Sequence, residues 1–385
     1  MDYLFTEEQL MIKELAEKIA KEEIAPKAAQ WDETGEFPWD AINTLAASGF
    51  MGLYLPEEFG GMGGGVTELC IAVEELSKAC GGVAVSYAAT SLGTLPILLF
   101  ASDEQKQKYL PRIASGEYLA AFGLTEPDAG SDASNIKTTA KLDGEHYVLN
   151  GTKQWITNGG EAQVYTVIAS TNPARGARGL SAFIVEKDTP GFTFGKKENK
   201  LGIRCSSTRE LIFEDCRIPK ENLLRKEGYG FIVAMKTLDR SRPGVASQAV
   251  GIAQGALDHA IKFGLERVQF GQPVVQFQAI QHKIAECQTR IEAARALTLS
   301  VAKMIDNGAS SYSKESAMCK LFAADTAMYV TTEAIQIYGG HGYMKEYPVE
   351  KYFRDAKITQ IYEGTNEIQR NVIANEVIKD IKKTL

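Results

Sequence analysis

The sequence is short of the residues that metal and nucleophile chemistry use. Its 385 residues include four histidines, His146, His259, His282 and His341. None has a Ser or Cys nucleophile pattern around it, so all four read as structural or surface residues. The six cysteines, Cys70, Cys80, Cys205, Cys216, Cys287 and Cys319, form no C-x-x-C pair. None stands at metal-ligand spacing from a histidine, so no metal site is expected. Scattered cysteines of this kind read as reduced, apolar fillers in a reducing compartment. Positive charge is not in surplus either: 42 Lys and Arg face 49 Asp and Glu, a net charge of −7. Nucleic acid is therefore disfavoured as the main partner, because phosphate binding needs a basic excess on one face. No run reaches the ~18 consecutive apolar residues of a membrane span. The opening MDYLFTEEQLMIKEL is acidic, lacks an apolar run after a basic start, and is not rich in Arg and Ser. It reads as neither signal nor transit peptide. A cytoplasmic protein of a prokaryote is expected, or a processed protein of the mitochondrial matrix. No G-x-G-x-x-G follows a strand pattern, so no Rossmann unit is expected.

What is present is ordinary globular material, 44% hydrophobic and 24% charged. The length suggests about two to three domains. Residues 1–117 read as a helical domain. Thr6 to Gln9 has the form of a capping box, and Ile12, Leu15 and Ile19 then share a helical face. Pro26 is expected to end that run. Glu57 to Gly65 reads as a flexible glycine loop, and Thr67 to Lys78 as helix. Gly81 to Phe100 is apolar and carries no charge.

Residues 118–228 change character. His146 to Leu149, Val164 to Ala169, Leu180 to Val185 and Glu210 to Phe213 are β-branched or aromatic runs divided by turn residues, which predicts a β domain. Residues 229–385 return to helix. Ile280, Ile284, Cys287, Ile291, Ala294, Thr298, Val301 and Ile305 alternate spacings of three and four, the seam of a bundle helix. That helix would run about 40 Å, and Asn307-Gly308 would stop it. The fold class is thus α+β multidomain, in the order helices, β domain, helices. Composition and period give no reaction.

The informative segments are Phe122-Gly123-Leu124-Thr125-Glu126-Pro127-Asp128-Ala129-Gly130-Ser131-Asp132, Asn150 to Asn158 (NGTKQWITN), Arg267 to Pro273 (RVQFGQP), and the late run Gln336 to Tyr343 with Tyr352 to Asp355 and Ile361 to Arg370. In order and spacing these segments resemble the acyl-CoA dehydrogenase family across essentially the whole chain, closest to its short-chain, butyryl-CoA type. The resemblance implies a middle β-barrel or sandwich and a C-terminal four-helix bundle. It also implies FAD, an acyl-CoA substrate, electron-transfer flavoprotein as electron acceptor, and a homotetramer built as a dimer of dimers.

Desaturating an acyl-CoA removes a proton alpha to the thioester and a hydride from the beta carbon. A base, a hydride acceptor and donors for the thioester oxygen are all required. By resemblance, Glu363 is the base, and its own N–H, with the flavin ribityl hydroxyl, holds the carbonyl oxygen. Gly364 allows close approach of the substrate. On its own, a Glu before Gly-Thr is a solvated turn residue; the four motifs in register decide otherwise. The resemblance places Phe122, Leu124, Thr125, Trp155, Ile156 and Thr157 at the flavin ring, and Ser131 where FAD and the CoA portion meet. By the same resemblance Arg267 to Pro273 would be a helix start, and Arg267, Phe270, Gln278, Gln336, Gly339 and Gly340 would serve the FAD of a neighbouring subunit, completed by Thr365 and Glu367. Asp239 to Arg242 would begin a helix whose Asp239 and Arg242 meet the CoA chain.

Two departures narrow the type. Branches of the isovaleryl and long-chain kind place the catalytic Glu directly before this Arg, where Ser241 stands here. Members acting on glutaryl-CoA carry an Arg in the helix near Val83 to Leu98, whereas this chain has no Lys or Arg between Lys78 and Lys106. A dicarboxylyl substrate would need Arg240, Tyr87 or Ser91 in an unfamiliar role. A short, medium, branched or cyclic acyl group is expected. Two rivals share the fold. One is an acyl-CoA oxidase, expected to carry further helices beyond a point such as Leu385. The other is a catalytically silent CoA-binding protein, expected to lack the base.

Overall fold

The computed structural model describes residues 2–384; Met1 and Leu385 lie outside them. Helices come first: α1 (Glu7–Ile19), α2 (Ala28–Thr34), α3 (Trp39–Ala47), α4 (Val66–Ala79), α5 (Gly81–Phe100) and α6 (Asp103–Ala114). Thr6 caps α1 as its sequence implies. Its hydroxyl accepts from the Gln9 N–H at 3.2 Å, and the Gln9 side chain accepts from the Thr6 N–H at 3.1 Å. Ser102 and Gln105 repeat the device at α6.

Two expectations change here, and one helix stands out. Pro26 does not end the first helical run, because a π turn over Ala20–Ile24 and a 3-10 turn over Ala25–Lys27 carry the chain into α2. A change of helical pitch removes the need for the donor that proline lacks. The Glu57 to Gly65 loop is packed rather than free. A Cβ on Gly61 would lie 2.1 Å from the Leu55 carbonyl oxygen, a contact only glycine permits. The N–H groups of Gly61, Met62, Gly63 and Gly64 donate to Pro56, Gly52, Leu55 and Leu53. Finally, α5 is long and apolar enough to cross a membrane by length and composition, with a mean hydropathy of 1.7 in its most apolar window. Ser, Thr and Gly interrupt its apolar run, so it holds no ~18 consecutive apolar residues. That window is 72% buried, and α5 packs on α4, α7 and β1 as a core helix.

The β region holds β1 (Ala120–Gly123), β2 (Thr139–Asp143), β3 (His146–Thr157), β4 (Val164–Ser170), β5 (Leu180–Glu186), β6 (Phe192–Phe194), β7 (Thr208–Pro219) and β8 (Leu223–Leu224). Their order is β6-β7-β3-β2-β4-β5-β8, with β1 parallel to β4. Every residue of β4 is buried, as expected of a strand covered on both faces. β3 pairs with β7 but loses register twice, between Leu149 and Gly151 and between Lys153 and Ile156. The second irregularity turns Trp155 out of the sheet, at φ +59 and 59% exposed.

The C-terminal region holds α7 (Gly230–Glu266), the short strands β9 (Val268–Gln269) and β10 (Gln272–Pro273), then α8 (Gln278–Asp306), α9 (Ser313–Tyr338), α10 (Val349–Lys357) and α11 (Asn366–Thr384). Helix α9 packs on α7, α8 and α11, the bundle expected. Along α8, Cys287, Ile291, Ala294, Thr298, Val301 and Ile305 are buried, and Asn307 caps its end. Asp239 to Arg242 does not begin a helix; it lies inside α7, which continues through Pro243. Proline leaves the Asp239 carbonyl without its helical donor. The Ser316 hydroxyl of α9 supplies one at 2.6 Å. Arg267 to Pro273 is likewise a hairpin rather than a helix start. Phe270 and Gly271, at φ +50 and +79, turn β9 into β10. The helix begins afterwards, at Gln278.

Candidate active site

Between the β region and the C-terminal bundle lies a cleft of about 910 Å3. One wall comes from β1, β3 and the turn after β1. Phe122, Leu124, Thr125, Trp155, Ile156 and Thr157 all face it. The turn is anchored from beneath by Lys153, which is completely buried. Its ammonium donates to the Leu124 carbonyl at 3.1 Å and to Glu126 at 2.7 Å. Glu126 also accepts the Lys137 and Thr138 N–H groups at 2.6 and 3.0 Å. The Gln154 N–H holds the Thr125 carbonyl at 2.8 Å. Burial pushes the Lys153 amine down to about 8.

The opposite wall comes from α7 and the segment before α11, through Ser241, Arg242, Glu363, Gly364 and Thr365. Glu363 sits at φ +52, a left-handed conformation that costs a non-glycine residue about 1–2 kcal/mol. Gly364 follows at φ +91, which glycine alone adopts freely. Side chains behind the loop hold this turn. Gln369 Nε2 donates to the Glu363 and Gly364 carbonyls at 3.2 and 2.8 Å. Lys320 Nζ donates to the Gly364 carbonyl at 2.8 Å. The Ser241 hydroxyl donates to the Glu363 carboxylate. Burial holds the Glu363 carboxyl above its ordinary range, against the pull of that hydroxyl and of the Arg242 and Lys320 charges. A carboxylate so placed is a proton acceptor tuned toward neutral pH, facing apolar space.

Helix α5 closes the inner end with Val85, Ala88, Ala89 and Leu92, and no cation. Tyr87, on the same helix, is buried with its hydroxyl donated to the Phe50 carbonyl at 3.0 Å. Ser131 lines the cleft, as does Arg242, which is buried and whose Nε has no partner among the described residues. Asp239 does not line the cleft. Its carboxylate lies behind the wall, bonded to Arg242 Nη1 at 2.7 Å and to the Ser313 hydroxyl, so it orients Arg242.

The remaining expected residues are not brought to this cleft within one chain. Arg267, Phe270 and Gln278 are exposed around the β9–β10 hairpin, and Gln336, Gly339 and Gly340 are exposed at the end of α9. The two groups share one end of the bundle, where the Phe263 ring stacks on Tyr338 at 4.0 Å and meets His341 at 5.5 Å. Thr365 lines the cleft and caps α11, accepting the Ile368 N–H at 3.3 Å. Glu367 is exposed in the first turn of α11.

Sequence reasoning missed Lys153, Lys320 and Gln369. Lys320 left a signal. It shares a helical stripe with Ala317, Ala323, Ala324 and Ala327, all buried, where an unpaired charge has no place.

Would these residues suit a flavin? The β-side wall sets two threonines among flat apolar side chains, and the bulge presents Trp155 with most of its ring free. A planar ring with one hydrogen-bonding edge fits that donor set.

A tuned carboxylate over an apolar cleft, facing such a platform in a helix–sheet–helix frame, defines an enzyme of proton abstraction. Family models for the N-terminal, middle and C-terminal domains of acyl-CoA dehydrogenase match residues 6–117, 121–216 and 228–378. The chain belongs to the acyl-CoA dehydrogenase family, whose members are flavin-dependent. It is similar to an acryloyl-CoA reductase (NADH) of Anaerotignum propionicum, 51% identical over 381 residues, 98% of this chain and 96% of the relative. Butyryl-CoA dehydrogenase from Megasphaera elsdenii superposes with a TM-score of 0.96 at 46% identity, covering 98% of this chain and 100% of that one. A structure described as the electron transferring flavoprotein of Acidaminococcus fermentans, towards a mechanism of flavin-based electron bifurcation, contains a chain with a TM-score of 0.96. That chain is 51% identical, with 98% of this chain and 99% of that one covered.

Proposed function

We propose that this acyl-CoA dehydrogenase binds FAD against the Phe122–Thr125 and Trp155–Thr157 wall and desaturates an uncharged acyl-CoA, with Glu363 as the base. The observation that carries this reading is the Glu363 carboxyl, raised by burial and facing the cleft across from that wall. When bound, FAD supplies the hydride acceptor for the beta carbon. Everything else falls to the chain. Glu363 takes the alpha proton at a carboxylate oxygen, and its raised pKa lets it keep that proton afterwards. The left-handed turn sets the Glu363 and Gly364 carbonyls toward Gln369, which leaves the Glu363 N–H for the thioester oxygen. The Thr125 and Thr157 edge meets the polar side of the flavin. Ser131 and Arg242 line the approach of the CoA portion, Asp239 acting only through Arg242. The uncharged α5 wall suits a short, medium or small branched acyl group. A second carboxylate there would lie unpaired.

Electrons pass onward to electron-transfer flavoprotein in this reading, supported by the flavoprotein structure that contains a similar chain. The exposed group around Phe270 and Gly339 serves FAD in a neighbouring subunit of a homotetramer. The free, buried cysteines suit a reducing compartment such as the cytoplasm.

The test is anaerobic mixing of the yellow protein with a panel of acyl-CoAs. Straight and small branched acyl-CoAs should bleach the flavin, and glutaryl-CoA should not. Electron-transfer flavoprotein should restore the colour faster than oxygen does. Rapid oxygen consumption without a carrier would make the protein an oxidase instead.

A further inference from the structure

Lys320 is the one lysine in α9 that faces inward, and its side chain is completely buried. An ammonium there needs partners, since a lone buried charge is among the costliest groups a fold can hold. It has two, and both belong to the segment that carries Glu363. Lys320 Nζ donates to the Gly364 carbonyl at 2.8 Å and to Asn366 Oδ1 at 3.0 Å. Asn366 is fixed in turn by donating to Asp325 at 2.8 Å, one helical turn along α9. A single side chain therefore ties the peptide after the base to the first residue of α11, from behind the cleft wall. Lys320 does not line the cleft.

We propose that Lys320 is a positioning residue for Glu363, holding the Gly364 carbonyl so that the base keeps its left-handed turn and its carboxylate stays over the substrate. The proposal rests on the reading of Glu363 as the base. The geometry separates two tasks. Gln369 also bonds the Gly364 carbonyl, so the turn has a neutral anchor as well. Lys320 adds a positive charge behind the loop, beside that of Arg242 on the cleft wall. The groups facing it are Glu363, Glu367, Asp325 and Arg242. Burial pushes its amine down to about 8, with the Glu363 charge opposing. Lys320 contributes a cation that favours ionised Glu363. Removing that cation raises Glu363 further, and the acid limb of the reaction moves to higher pH.

The experiment compares wild type, Lys320→Met and Lys320→Gln as FAD-loaded proteins, by flavin bleaching with a saturating acyl-CoA that reacts with wild type, from acid to alkaline pH. Both variants should keep FAD and bind the acyl-CoA within about threefold, yet bleach about tenfold or more slowly, with the acid limb displaced upward. A merely structural role would lower FAD content or affinity and leave that limb in place. Wild-type bleaching and an unmoved acid limb in either variant would overturn the proposal. Should neither variant fold, Asn366→Ala decides, since it removes the second partner that holds Lys320 Nζ under the loop. It should keep FAD and bleach about threefold or more slowly, and bleaching at the wild-type rate would overturn the proposal. Glu363→Gln run alongside separates the two ideas. If it bleaches like wild type, the base reading fails. If it is silent while Lys320→Met is fast, only the role of Lys320 fails.

Discussion

Glu363 was legible in the sequence only through the company it keeps: the motifs around it identify it, whereas its own neighbours read as a solvated turn. What the sequence did not disclose is how the turn is held, because Gln369, Lys320 and Ser241 reach it from other turns of the chain or other helices. Lys153, buried beneath the Thr125 turn, was hidden for the same reason: its partner Glu126 lies on a different strand connection. The tuning of Glu363 has a consequence for stability. Its folded pKa lies above the unfolded value of about 4.3. A carboxyl of that kind gives its full stability below the unfolded pKa and loses it as pH rises through the folded one. Glu363→Gln removes the ionisation. The variant should melt above wild type at pH 8, and the gap should close toward about pH 4. Thermal melts at the two pH values check this, and a gap independent of pH would contradict it.

At the scale of elements, periodicity found the long helices and the strands, since a buried stripe or an alternating run announces itself along the chain. It misjudged the places where proline and glycine meet tertiary partners. Pro26 is expected to end a helical run and Asp239 to begin a helix, and neither marks a boundary. At Pro243 the reason is a hydroxyl on another helix. Ser316→Ala should leave the Asp239 carbonyl unserved and cost about 1–3 kcal/mol. In a Pro243→Ala background the restored N–H can serve that carbonyl, so the same substitution should cost clearly less. Denaturant unfolding of the four proteins measures the coupling. Equal costs in both backgrounds would remove the assigned role of Ser316. The Arg267–Pro273 segment shows the opposite error. The resemblance implies a helix start there, whereas the Phe270-Gly271 turn makes a hairpin that precedes the helix.

The whole molecule divides its expected functional residues between two places. The cleft gathers the β-side wall, α7 and the Glu363 loop, while Phe270, 94% exposed, and Tyr343, 83% exposed, stand at the end of the bundle with Gly339 and Gly340. An apolar ring so exposed beside a strained turn suits burial against another subunit. Phe270→Ser should lower both the assembly size in light scattering and the FAD retained per chain; a variant unchanged in both would leave that end of the bundle without its proposed partner. The cleft needs all three regions of the chain, and Glu363 is where they converge. Its chemistry is tested most directly by mixing FAD-loaded Glu363→Gln anaerobically with an acyl-CoA that bleaches the wild type. The variant should stay yellow, bind the acyl-CoA, and bleach about a thousandfold more slowly or not at all. Bleaching at the wild-type rate would contradict the assignment of Glu363 as the base.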